Sequence, residues 1–114
     1  MSGLKAKAKV VAKVVLVFAI VGLRPDRRVM LWNQAAERIF GYAAAEAVGK
    51  PYILVPADGR AEFDRIIERV SSGERLVDIE VRRLRKDGTP IDIVFSGAPL
   101  YDPERRLTGL VFVL

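Results

Sequence analysis

The chain has no cysteine and no histidine among its 114 residues. Without cysteine there is no disulfide, no thiolate metal site and no thiol nucleophile. Without histidine the commonest metal ligand and the commonest general base near neutral pH are gone as well. Long hydrophobic runs are also missing: the most apolar segment, Val14 to Leu23, is too short for a hydrocarbon core of about 30 Å, so no membrane span is expected. It follows a lysine-rich start, as a signal peptide's apolar core would, but Leu23-Arg24-Pro25-Asp26 is no small-residue cleavage site. The net charge of +5 shrinks once it is located along the chain. Lys5, Lys7, Lys9 and Lys13 stand unopposed, and beyond them 15 basic residues face 14 acidic ones, a net of +1. The chain is long enough for one buried core and a single domain.

What is present is organised around VMLWNQAAERIFGY, Val29 to Tyr42. Val29 to Trp32 is apolar on both faces of a pleat, which predicts a strand covered on both sides. Asn33 is placed to cap a helix whose apolar positions Ala35, Ala36, Ile39 and Phe40 recur at helical spacing. Gly41 stops that helix after about two turns, taking the left-handed conformation that other residues adopt at a cost of roughly 1–2 kcal/mol.

Upstream, Leu4 to Val15 forms a helix or extended arm and Val17 to Leu23 the first strand. Arg24 to Arg28 is a turn, with Pro25 setting φ and Asp26 able to bond its own backbone. Downstream, Ala43 to Val48 is a second short helix, ending at Gly49 before an extended Lys50-Pro51 exit. Ala61 to Val70 carries Phe63, Ile66, Ile67 and Val70 on one stripe with charges opposite, making it the best amphipathic helix in the chain. Leu76 to Leu84 alternates, with Val77, Ile79 and Val81 on one face and Asp78, Glu80 and Arg82 on the other. Asp87-Gly88 is a strong hairpin signal before the next strand, in which Ile91, Ile93, Phe95 and Gly97 share a face. A turn over Tyr101 to Arg105 leads into a last strand, Leu107 to Leu114.

Together, WNQAAERIFGY, the Gly49 to Tyr52 step, the amphipathic helix, RRLRKDGTPID and PLYDPERRLTGLV resemble a PAS domain over residues 17–114. The resemblance implies an α+β fold: a five-stranded antiparallel sheet with short helices and one longer helix packed on one face, plus an N-terminal flanking segment, residues 1–16. It implies Asn33, Gly41, Tyr42, Asp87 and Gly88 as structural motif positions, Phe40 and Tyr42 packing about Gly41. It places Phe63, Ile66 and Ile67 on the helix that roofs a ligand cavity in relatives. Several positions depart from the family pattern. Arg27 and Arg105 stand where glycine is usual, so altered turns are expected, and Ala43 replaces a capping serine, a loss of about 1 kcal/mol. The sequence ends where relatives continue into a connector, so it reads as an excised sensor module.

The function implied is sensing and signalling rather than catalysis: a cytoplasmic module that binds a small ligand, dimerises, or both, to regulate an output domain such as a kinase, cyclase or transcription regulator. Cavity candidates are Phe40, Phe63, Ile66, Ile67, Phe95, Gly97 and Trp32, with Gly97 leaving a gap in the core face. Dimer-interface candidates are Leu4, Val10, Val11, Val14, Val15 and Phe18. Composition excludes haem held by histidine and a cysteinyl flavin adduct. Met30 reads as core rather than a haem ligand, and non-covalent flavin stays open, with Trp32 as the only indole to stack on it. Asp78 and Glu80 read as a solvated strand face and not as a catalytic pair. Two alternatives remain: a ligand-free homodimerisation module, and a weak binder of anionic polymers or membrane surfaces through the lysine arm. No specific nucleic-acid site is implied, because no aromatics are interleaved with the basic residues.

Overall fold

The local signals described above form nine elements, and the computed structural model describes residues 18–52 and 54–114 of the chain. Strand β1 (Ile20–Leu23) and strand β2 (Val29–Trp32) are followed by short helices α1 (Gln34–Phe40) and α2 (Ala44–Ala47). A single 3₁₀ turn, Ala57–Gly59, leads into the longer helix α3 (Arg60–Ser71), after which come β3 (Leu76–Leu84), β4 (Pro90–Tyr101) and β5 (Leu107–Val113). The five strands form one antiparallel sheet in the order β2-β1-β5-β4-β3. The last strand therefore lies between the first and the fourth. Helices cover one face of this sheet.

Asn33 acts at both levels, local and tertiary. Its Oδ1 accepts the Ala36 N–H at 3.0 Å, capping α1, and the Ile20 N–H at 3.0 Å, while its Nδ2 donates to the Phe18 carbonyl at 2.9 Å. One side chain thus starts a helix and fastens the entry of β1. That entry begins at Ile20, three residues later than the apolar run predicts. Gly41, at φ +87°, closes α1 through its N–H to Glu37 O at 2.9 Å. Ala43 has no capping side chain, but Glu46 Oε2 accepts its N–H at 2.9 Å and Glu37 Oε2 accepts the Ala44 N–H at 2.7 Å. Two borrowed carboxylates serve where the cap is missing, and their charge suits a helix N-terminus.

The core lies between the covered face and α3, which buries Phe63, Ile66, Ile67 and Val70. Phe40 is wholly buried, its ring 5.5 Å from that of Trp32. The Trp32 indole donates to the Tyr42 carbonyl at 2.9 Å.

Three expectations are overturned. Arg27 and Arg105 keep the left-handed conformation at φ +72° and +64° in place of altered turns. Hydrogen bonds hold both turns: the Arg27 N–H reaches Arg24 O at 2.8 Å and the Arg105 N–H reaches Asp102 O at 2.9 Å. The alternation of β3 also breaks. Asp78 sits at φ +52° inside a bulge between Leu76 and Ile79, where two residues face one of β4, so Leu76 turns inward and Val77 is 67% exposed. Finally, two-sided cover is expected of β2, yet Met30 and Leu31 are exposed on the outer face, as is Val113 of β5. Apolarity on both faces here marks a surface without cover among the described residues.

Candidate functional site

Between α3 and the inner face of the sheet lies a cavity of about 30 Å³. All five strands but β2 contribute to it. Val21 and Leu23 come from β1, Val81 and Arg83 from β3, Ile93 and Phe95 from β4, Phe112 and Leu114 from the end of the chain, Phe63 and Ile66 from α3, and Tyr52 from the loop before it. Its walls are apolar except at the end where Tyr52 and Arg83 meet. Volume of this order admits about one water, against several hundred Å³ for most small-molecule sites.

A second pocket, of about 200 Å³, opens between β2, α2 and the following loop, lined by Val29, Trp32, Tyr42, Ala47, Pro51 and Leu54, with Glu46 and Lys50 at its polar edge. Tyr52 lines both spaces. Its ring stacks on Phe63 at 5.3 Å between centroids and 18° between planes. Burial raises the Tyr52 phenol above its usual pKa, and the positive charge and hydrogen bond of neighbouring Arg83 offset part of that rise.

Arg83 is buried because it follows Ile79 and Val81 at alternate positions of β3, facing inward opposite Ile91. Its Nη1 donates to Glu62 Oε1 at 3.3 Å and to the Arg82 carbonyl at 2.9 Å, and its guanidinium lies 5.9 Å from the centre of the Phe63 ring. Arg27 and Arg60 approach the same ring at 5.7 Å, and Arg27 also pairs with Asp64.

Of the predicted cavity residues, Phe63, Ile66 and Phe95 line the inner space and Trp32 lines the outer pocket. Phe40 and Ile67 are core residues beside them. Gly97 leaves no gap, since a Cβ there would lie 2.7 Å from the Phe112 ring; the glycine admits that ring, which packs edge-on to Phe95 at 5.5 Å. Asp87 and Gly88 form the β3–β4 turn, with Asp87 Oδ1 accepting the Thr89 N–H at 2.9 Å. Phe18 is half exposed, while Leu4, Val10, Val11, Val14 and Val15 lie outside the described residues. Sequence reasoning missed Tyr52, Arg83 and Glu62. One signal for Arg83 was available: a charged residue falls in the apolar phase of β3.

The chain matches the PAS fold family over residues 16–114. It is a PAS domain. No curated protein matches it. Among solved structures it is similar to the PAS domain of a protein from Colwellia psychrerythraea, at 26% identity and a TM-score of 0.77, covering 96% of this chain and 92% of that one. An RNA-binding light-oxygen-voltage receptor matches at 25% identity and a TM-score of 0.77 over 93% of this chain, which spans only 32% of that receptor. The PAS-B domain of Drosophila melanogaster Cycle, with bound ethylene glycol, matches at 16% identity and a TM-score of 0.73, over 84% of this chain and 99% of that one, a likeness of fold alone. PAS domains are generally sensory modules and generally not enzymes. Among the described residues no helix is long and apolar enough to cross a membrane, and no cluster of acidic residues is arranged to hold a metal ion.

Proposed function

We propose that this PAS domain is a sensory module that holds a small ligand non-covalently between α3 and the sheet and reports its presence to a linked or partner output domain. Residues 17–114 form the sensory domain and residues 1–16 a flank. The observation that carries the reading is the inner cavity and the tyrosine it shares with the outer pocket. Among the described residues Tyr52 is the one that lines both the apolar interior of about 30 Å³ and the pocket of about 200 Å³, and under this proposal a rotation of its ring joins them. With the volume the ring vacates, the joined space reaches the lower end of the range for small-molecule sites, roughly 300 Å³. A loop side chain is a light gate to move.

Methyl spectra recorded under xenon test this. Saturable shifts are expected at Val81, Ile66 and Ile93, and Tyr52→Ala is expected to admit indole as well. If no methyl of the inner space moves in either protein, the cavity does not accept ligands and the reading falls.

A second reading, a homodimer formed through the outer sheet face, is favoured by the exposed Met30, Leu31, Val94, Leu100 and Val113. Outer-face pairing and ligand sensing are compatible, because they use opposite sides of the same sheet. The proposed output domain is a kinase, cyclase or transcription regulator, and the cytoplasm is the compartment such a regulator works in.

A further inference from the structure

Arg83 is the one charged residue buried among the described residues, at 3% exposure, and the one cation lining the inner cavity. A buried guanidinium is costly unless acceptors meet its five N–H donors. Here they are met thinly. Besides the hydrogen bond to the Tyr52 phenol, it makes two through Nη1, and Glu62, the carboxylate partner, is a single contact at 3.3 Å from a side chain still 44% exposed. A guanidinium fork is built for two parallel bonds to a carboxylate. The remaining edge has only the Tyr52 phenol and the face of Phe63 beside it.

We propose that the cavity is a carboxylate site, in which Arg83 receives the head of a small monocarboxylic acid whose apolar body lies against Phe63, Ile66 and Ile93. This rests on the reading of the cavity as a ligand chamber. A single cation in an otherwise apolar lining suits a monoanion. A dianionic phosphate would need a second positive group in the walls, and Arg27 and Arg60 lie against the Phe63 ring without lining the cavity. Glu62 lines an open groove that shares Val81 and Ile93 with the cavity, and from there it reaches Arg83. An entering carboxylate replaces Glu62 on Arg83, which makes Glu62 a built-in competitor.

The test titrates acetate, propanoate and butanoate against the matching amides, followed by calorimetry and by spectra of the Ile66 and Ile93 methyls and the Arg83 Nε–H. Butanoate is expected to bind saturably and at least about tenfold more tightly than butanamide, the usual margin for a hydrogen bond to a charged group. Glu62→Gln is expected to tighten acid binding several-fold, and Arg83→Met to bind acid and amide alike. Should Arg83→Met not fold, Arg83→Lys keeps the charge without the fork and is expected to lose most of the acid preference; the acid–amide comparison in the unmodified protein needs no variant. Equal affinity for acid and amide, an unchanged preference in both Arg83 variants, or no saturable shift with any of the six compounds overturns the proposal. If xenon still moves the same methyls in that last case, the ligand chamber stands and only its carboxylate specificity is lost.

Discussion

Arg105 sits at φ +64° on an exposed turn and makes no ion pair among the described residues, so its backbone strain is offset by little. Arg27, at φ +72°, is held differently: its guanidinium pairs with Asp64 and lies over the Phe63 ring, so the strained turn is joined to α3. Replacing each by glycine separates the two cases. Arg105→Gly relieves left-handed strain of roughly 1 kcal/mol and gives part of it back in unfolded-chain entropy, for a net gain of about 0.5 kcal/mol. Arg27→Gly gains the same backbone relief and loses an ion pair and a cation–π contact of similar size, so it is expected to be neutral or destabilising. Urea denaturation of both variants checks this. A destabilised Arg105→Gly would show that the turn uses its side chain after all.

The β3–β4 hairpin shows what an element gains from its neighbours. Its turn is local: Asp87 Oδ1 accepts from the Thr89 N–H at 2.9 Å and from the Thr89 hydroxyl at 2.6 Å, with Gly88 at φ +85°. Its seat is not local. The Lys86 N–H reaches Phe40 O at 2.8 Å, Lys86 Nζ reaches Glu46 Oε1 at 2.5 Å, and Arg85 Nε donates to Ile39 O at 3.2 Å, so the hairpin tip is fastened to the corner between α1 and α2. The two Thr89 hydrogen bonds hold the Asp87 carboxyl below its ordinary pKa, and the Lys86 ammonium followed by the Ala43 N–H does the same for Glu46. Lowered folded-state values mean stability that is present above the usual carboxylate range and lost as pH falls through the folded pKa. Carbon-13 titration of the Asp87 carboxyl should therefore show a midpoint below that of the unfolded chain, and Thr89→Val should move it back up. A midpoint indifferent to Thr89 would mean that the hydroxyl does not hold the turn.

At the scale of the whole molecule, the sheet has one face under helices and another on which Met30, Leu31, Val94, Leu100 and Val113 are exposed. Gly22 and Gly109 lie beneath Met30, close enough that a Cβ at Gly109 would fall 2.4 Å from its terminal carbon. Small residues thus let the methionine lie flat across β1 and β5. A second copy is the occupant favoured under the proposed dimer, and Leu31→Glu with Val113→Glu places four like charges in a two-fold contact. The pair is expected to weaken dimerisation about 100-fold or more, read as native mass against concentration, with the fold intact because both side chains are already exposed. An unmodified protein that is monomeric at 100 µM, or a charged variant that dimerises equally well, would remove this interface.

The sequence by itself determined the elements whose signals are local: the Asn33 cap, the Gly41 stop, the apolar stripe of α3 and the Asp87-Gly88 turn, while the five-stranded antiparallel sheet was legible only through the family resemblance. Each local signal depends on residues within a few positions of one another, where a spacing or a capping group is sufficient cause. Tertiary structure decided the rest. Whether Gly97 leaves a void depended on Phe112, fifteen residues away on the neighbouring strand. The bulge at Asp78 turned Val77 outward and Leu76 inward, something an alternating pattern cannot encode. The site was least legible, since Tyr52 comes from a loop, Glu62 from a helix and Arg83 from a strand. Only packing brings a ring and a buried guanidinium to one small cavity, with a carboxylate reaching that guanidinium from outside it.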